Sequence, residues 1–332
     1  MSRRGLKTAA LLAALTAAMT MTAHAQSAVA AFPTKPVTIV VPYPAGGAAD
    51  VAVRPIVDRM AEHLGQPVII ENAPGAGSTI GTNKVVRAAA DGYTLLAQQV
   101  SLAAIPGLFP NLNIEVDKKL TGIGLINTNP SLIVGRASLE VKDFAELVAW
   151  MKKDGPNVRF AHAGAGTMAH LCAALFARSI GTEVNIIPYR GGNAVNTDII
   201  GGHVDLFCSG AGLVLEHVKS GRMKAFASTS KERYAPLPDT PTVVELGMPE
   251  LEIKFWQGLF APTGTPQPII DKLNAALRHA LADPKVIKSF AANGMSVFPA
   301  DEQTPDAATK LLQSETKRWG EVIRVNNITV TP

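Results

Sequence analysis

The sequence predicts an α/β fold of two lobes, each a mixed sheet flanked by helices. Three observations lead there. Short apolar strand patterns alternate with longer stretches of helical periodicity along the 332-residue chain. Four strand-to-helix junctions are rich in glycine, near residues 44–50, 75–79, 164–167 and 189–193. These junctions form two pairs far apart in sequence, as expected if two sheets point their strand ends at one cleft.

The chain begins with a targeting pattern. Arg3, Arg4 and Lys7 precede the apolar, Ala-rich run Thr8–Met21, and Ala23-His24-Ala25 is a small-x-small cleavage site. Residues 1–25 therefore read as a secretory signal peptide, with the mature start near Gln26. The run is shorter than the roughly 20 apolar residues of a membrane span. Ser2-Arg3-Arg4 matches a twin-arginine signal only in part. The formal net charge is +4, and removal of the three leader cations leaves +1. Without a basic face interleaved with aromatics, nucleic-acid binding is not expected.

The elements follow in order. Val37–Val41 is a strand, and Val51, Val53, Ile56, Val57, Met60 and Leu64 mark a helix stopped by Gly65. Pro55 is expected to kink or delay that helix. Strands at 68–71 and 93–97 flank a helix at 81–90. Residues 120–127 and 131–135 read as a strand pair around Asn129-Pro130. Strands at 159–162, 184–188, 204–208 and 225–229 alternate with helices at 141–153, 168–180, 194–201 and 211–220. Tyr234–Thr242 is a proline-rich loop, 255–261 a strand, and 269–283, 284–293 and 305–325 are helices.

The glycine junctions carry the chemistry. Backbone N–H groups at a helix start, with the positive end of the helix dipole behind them, cradle an anion. The first cradle runs from Tyr43 through Ala45, Gly46, Gly47 and Ala48 to Asp50, which either caps the helix or holds a bridging water. The second is Ala76, Gly77, Ser78 and Thr79, spaced G-x-G-x-x-x-G rather than as a dinucleotide loop. Gly164, Gly166 and Thr167 form the third, with His170 one turn on, either packed in the core or at the site. In the fourth, Arg190 either clamps a carboxylate or is simply solvated. Asp205 and Ser209 flank a strand end. Nucleophile elbows, zinc signatures and Walker loops are missing from the sequence, which favours binding over catalysis. Neither a cofactor nor a metal is expected. Cys172 and Cys208, exported to an oxidising space, are expected to form a disulfide closing a loop of about 37 residues. The alternative is two buried thiols.

These motifs resemble the tripartite tricarboxylate transporter substrate-binding proteins, also called the Bug or TctC family. Its pattern P-F/Y-x-A/P-G-G-x-x-D stands here as Pro42-Tyr43-Pro44-Ala45-Gly46-Gly47-Ala48-Ala49-Asp50. The stretch Leu64-Gly65-Gln66-Pro67-Val68-Ile69-Ile70-Glu71-Asn72-Ala73-Pro74-Gly75-Ala76-Gly77 and the run Asp91-Gly92-Tyr93-Thr94-Leu95-Leu96 follow in the family order. Pro188-Tyr189-Arg190-Gly191, Gly201-Gly202-His203-Val204-Asp205 and the segment from Trp256-Gln257 to Pro266 extend the likeness over the mature chain. It departs at Ser78, where glycine is common, and at Gln98-Gln99, both expected near the cleft.

The resemblance implies a type II-like periplasmic binding protein that closes on a ligand. Residues 26–126 plus 250–332 would form lobe 1, and 127–249 lobe 2. A small carboxylate, a dicarboxylate either aliphatic or aromatic such as terephthalate, would be held by the first two cradles. Its far end would meet Gly164–Thr167 and Asp205–Ser209, with Gln98 nearby. A monomeric protein would then deliver it to a membrane permease of the tripartite tricarboxylate type. The alternative is a ligand sensor acting on a membrane sensor kinase, and a periplasmic enzyme on the same fold is a third reading.

Overall fold

The computed structural model describes residues 31–253 and 255–330. The expected signal peptide lies outside the described residues. The strands are β1 (Val37–Val41), β2 (Val68–Asn72), β3 (Thr94–Gln99), β4 (Leu120–Asn129), β5 (Ser131–Arg136), β6 (Arg159–His162), β7 (Asn185–Pro188), β8 (Leu206–Gly210), β9 (Met223–Ser228), β10 (Phe255–Pro262) and β11 (Ser296–Val297). The α-helices are α1 (Ala48–Leu64), α2 (Thr79–Val86), α3 (Ser101–Leu108), α4 (Val116–Lys119), α5 (Phe144–Asp154), α6 (Met168–Ser179), α7 (Gly192–Ile200), α8 (Ala211–Lys219), α9 (Gln267–Leu281), α10 (Pro284–Ala292) and α11 (Pro305–Val325).

Two mixed sheets result, and the α/β expectation holds. The first has the order β11-β4-β10-β3-β1-β2, the second β7-β6-β8-β5-β9. In the first, β1 pairs parallel with β2 and β3, while β10 runs antiparallel between β3 and β4. β1 can sit in the middle because Val37, Ile39, Val40 and Val41 are all buried, the near-continuous apolar run of a strand covered on both faces. In the second, β6 pairs parallel with β7 and β8, and β5 runs antiparallel to β8 and β9.

The chain passes from the first sheet to the second at Pro130 and returns between Ser228 and Phe255. Here the expected strand pair needs correction: β4 and β5 are consecutive but belong to different sheets. Proline cannot donate to a ladder, so it suits a crossover better than a hairpin between paired strands. One apolar cluster spans both sheets, from Leu312 and Trp319 through Trp256 to Phe160 and Phe176.

Other departures are local. Pro55 neither delays nor ends α1, which begins seven residues before it and runs on to Leu64. Burial of Ala49, Ala52, Val53, Ile56, Met60 and Leu64, partly against α9, outweighs the roughly 3 kcal/mol a mid-helix proline costs. Gly65 (φ 69°) then ends the helix in the left-handed conformation as expected. Helices α3 and α4 were not expected. Pro106 disguises the first and four residues give the second no periodicity.

Candidate functional site

The two sheets face one another across a cavity of about 190 Å³. That is below the roughly 300–1,000 Å³ of drug-sized sites and suits a small ligand. Its walls come from both lobes: Tyr43 to Val51 and the β4 and β10 ends on one side, Ala163 to Ala169, Gly191-Gly192 and Phe207 to Leu213 on the other.

Four helices begin at this cavity. Gly47 caps α1, Thr167 caps α6, Gly191 precedes α7 and Gly210 precedes α8, and all four residues line the wall. The first turn of a helix leaves N–H groups without intrahelical partners and carries a positive partial charge. Among the described residues no Lys, Arg, His, Asp or Glu lines the cavity. The electrostatic bias towards an anion therefore comes from backbone alone.

The first cradle is held in shape by Asp50. Its buried carboxylate accepts from Gly46 N (2.8 Å), Arg54 Nε (2.6 Å) and Asn72 Nδ2 (3.0 Å). Burial pushes this carboxyl up, but the hydrogen bonds from Arg54, Gly46 and Asn72 prevail and hold it below its ordinary value. The Tyr43 hydroxyl meets Ser101 Oγ at 2.5 Å, and burial raises its pKa against the pull of Ser101, Gln99, Ser78 and Gln98.

The other polar wall is made of amides. Asn127 and Gln257 are register partners on β4 and β10, and Asn129 pairs with Phe255. Gln257 Nε2 donates to the Ala49 carbonyl at 3.0 Å, and Asn129 Nδ2 to the Pro130 carbonyl at 3.4 Å. Gln257 Oε1, Asn129 Oδ1 and both polar atoms of Asn127 are buried without a protein partner. All three side chains belong to residues that line the cavity.

Of the residues singled out from sequence, Tyr43, Gly46, Gly47, Ala48, Thr167 and Ser209 line the cavity. Ala45 and Gly164 sit in the same loops but outside the wall, and Asp50 acts through Gly46. The second cradle stands elsewhere. Ala76 (φ 44°), Gly77 (φ 63°) and Ser78 (φ 74°) turn left-handed in succession, and Thr79 opens α2 off the cavity. A β-carbon on Gly77 would lie 2.8 Å from the Ala165 carbonyl oxygen, so this loop meets the third loop directly. Gly166 packs there too, against Phe109 and Gly77. Both belong to the contact between lobes.

Three further residues singled out from sequence stand outside the cavity wall. Gln98 is buried against Thr82 while its neighbour Gln99 lines the cavity, because alternate residues of a strand face opposite sides. Arg190 is exposed and outside the wall. Asp205 precedes β8, at the far end of that strand from Ser209. It accepts from Arg159 Nη2 (2.8 Å) and Nε (3.0 Å) and from Arg136 Nε (2.9 Å). Burial raises its carboxyl, but these partners, Arg159 foremost, hold it below normal.

Two histidines support the third loop. His162 Nδ1 accepts from Gly164 N (3.2 Å) and His170 Nδ1 from Gly166 N (3.4 Å), with the rings 4.7 Å apart. Burial lowers both, His170 to about 4 with further help from His162, so both are neutral acceptors near pH 7. His170 is thus a core residue supporting the loop. Cys172 on α6 and Cys208 on β8 are joined by a disulfide, as expected, and Cys208 lines the cavity.

Residues 52–328 match the model of the tripartite tricarboxylate transporter family receptor. The chain belongs to this receptor family. A protein of Agrobacterium vitis, encoded in the TAR-I ttuE-ttuC' intergenic region, is 40% identical over 88% of this chain and 84% of its own length. The solved periplasmic binding protein BugD is 35% identical, with a TM-score of 0.83 over 90% of this chain and 99% of its own. MatC from Rhodopseudomonas palustris, solved with bound malate, is 34% identical, with a TM-score of 0.83 over 88% and 100%. The tripartite tricarboxylate transporter receptors are solute-binding proteins rather than enzymes.

Sequence reading of this receptor placed Gln98-Gln99 near the cleft, and Gln99 lines the cavity; it passed over Asn127, Asn129, Gln257 and Gly212, which line it too. A signal was present. Asn127 and Asn129 share one strand face just before a proline, and an otherwise apolar strand ending in two amides is unusual.

Proposed function

We propose that this receptor is a periplasmic solute-binding protein that captures a small dicarboxylate between its lobes and hands it to a permease of the tripartite tricarboxylate type. Four helix starts around a cavity without charged side chains carry the reading. Such a site attracts a carboxylate by partial charges fixed in the backbone. Tyr43, Gly46, Gly47, Ala48, Thr167 and Ser209 are the contacts we assign from the sequence-derived set. Asp50 orders the first of their loops. We take the two lobes to divide at the crossovers at Pro130 and before Phe255, a few residues beyond the 126/127 and 249/250 boundaries read from sequence, and to move about those crossovers. Affinity then depends on the balance of open and closed forms. The leader places the protein in the periplasm, where it acts as a monomer.

The test is thermal melting against succinate, citrate, glutamate, adipate, benzoate, phthalate and terephthalate, with nicotinate as control. A ligand at a hundred times its Kd stabilises by about 2.7 kcal/mol. A clear rise with at least one carboxylate is expected. No rise with any of them, in protein shown by native mass spectrometry to be ligand-free, removes the carboxylate premise.

A further inference from the structure

We propose that Asn293-Gly294 is a deamidation site gated by lobe closure, so that the receptor is modified while open and protected while shut on a ligand. The gating rests on the closing, acid-binding reading above. Asn-Gly occurs once in the sequence. Glycine has no side chain to shield its own nitrogen, so the Gly294 nitrogen can attack Asn293 Cγ. The N–Cγ bond forms, the Cγ–Nδ2 bond breaks, ammonia leaves and a succinimide ring remains. Solvent water then opens either ring carbonyl, giving aspartate or isoaspartate. An amide nitrogen has been exchanged for oxygen, one negative charge is gained, and nothing is oxidised or reduced.

The folded chain holds this peptide away from reaction. Gly294 N donates to the Ala291 carbonyl at 3.1 Å and Asn293 Nδ2 to that of Ser289 at 2.8 Å. Both bonds must break and the peptide must turn before the nitrogen reaches Cγ. These bonds lie within α10 and its C-terminal end, a place where helices fray. The other lobe supplies the lock. A β-carbon on Gly212 would lie 1.6 Å from the Asn293 carbonyl oxygen, one on Gly294 would lie 2.9 Å from Gly212 Cα, and Tyr234 Oη donates to the Gly294 carbonyl. Between α8 and Tyr234 the peptide has no room to turn. Parting the lobes removes both contacts and leaves only the helix end.

The product suits neither the cavity nor the contact. Asn293 lines the cavity, so a carboxylate there repels the anion that the helix starts attract. It also faces the negative end of the α10 dipole. Isoaspartate further lengthens the backbone where Gly212 leaves no space.

The test incubates ligand-free protein at mildly alkaline pH and follows the Asn293 peptide by mass spectrometry, with the urea-unfolded chain as reference. Asn293 should convert in the folded protein. Conversion should slow about tenfold or more with the panel acid of largest melting shift at a hundred times its Kd, where only about 1% of the receptor is unliganded. Gly212→Ala, whose methyl group opposes closure, should lose most of that protection. Asn293→Asp should bind the same acid about tenfold or more weaker. Asn293→Gln, which closes such a ring far more slowly, should keep through the incubation whatever affinity it starts with. No conversion in the folded protein while the unfolded chain reacts, or equal rates with and without a bound acid, overturns the inference and leaves the carboxylate reading intact. If no panel acid binds, that reading fails alone; the gate then stands if Gly212→Ala converts faster than wild type and falls if the two rates agree.

Discussion

Gly212 and Asn293 meet with no room for a side chain. A β-carbon built on Gly212 would lie 1.6 Å from the Asn293 carbonyl oxygen. Gly212 stands in the first turn of α8, in the lobe of the second sheet, and Asn293 follows α10 in the other lobe. Beside them Tyr234 Oη donates to the Gly294 carbonyl at 3.3 Å. Together with Gly77 against Ala165, off the cavity, these contacts bring the lobes together.

Gly212→Ala should therefore oppose closure without unfolding either lobe. The residue is helical, where alanine is about 1 kcal/mol better than glycine. Affinity for the acid giving the largest melting shift should drop at least about tenfold. Small-angle scattering should no longer show compaction when that acid is added. Wild-type affinity would mean that the contact has no part in closure.

Asp50→Ala should loosen the first cradle. It strips the Gly46 N–H of its acceptor and Asn72 Nδ2 of one of its two, the Tyr43 carbonyl remaining, at a cost of about 1–3 kcal/mol in stability. Ligand affinity should fall at least about tenfold although the carboxylate does not line the cavity. Paired melting and calorimetry measure both effects.

Asp205→Ala should separate stability from binding. Arg136 and Arg159 are partly exposed and can turn to water, so the loss should be about 1–3 kcal/mol in chemical denaturation. The Kd should stay within about twofold, because Asp205 lies at the end of β8 away from the cavity. A large loss of affinity in soundly folded protein would return Asp205 to the site.

Acid should weaken the fold through the histidine pair. The His170 pKa is about 4 in the folded chain against about 6.5 when unfolded, so the unfolded chain binds more protons between these values. The stabilisation is whole above pH 6.5 and is lost as pH falls towards 4. His170 alone accounts for about 2–3 kcal/mol between pH 7 and 4, and His162, also lowered, acts in the same direction. In His170→Asn, whose Oδ1 can accept from Gly166 N, the slope of stability against pH over this range should flatten.

Reduction should destabilise the second lobe. Opening the bridge between Cys172 and Cys208 should cost about 2–5 kcal/mol, seen as a lower denaturation midpoint with reductant present. An unchanged midpoint, or two free thiols found in unreduced protein by alkylation and mass spectrometry, would contradict the disulfide.

The fold was legible from the sequence because its signals are local. The apolar run Val37–Val41, the stripe from Val53 to Leu64 and the stop at Gly65 each declare themselves within one element. The glycine loops announced helix starts suited to an anion, and three of the four bring residues to the cavity. The second does not, because a loop sequence fixes backbone shape but not which neighbour it meets. Gln98 and Gln99 show the same limit at one-residue scale, since the pairing of β3 with β10 decides which amide faces the ligand space.

By itself, then, the sequence determined the α/β architecture, the family and the anion-seeking loops, all of which follow from short-range periodicity and backbone chemistry. Only the tertiary structure decided that β4 and β5 part into different sheets at Pro130, that Asp205 is tied to arginines outside the cavity, and that Asn127, Asn129 and Gln257 share one wall. The last of these joins residues about 130 positions apart along the chain. They come together only when β10 returns to lie beside β4.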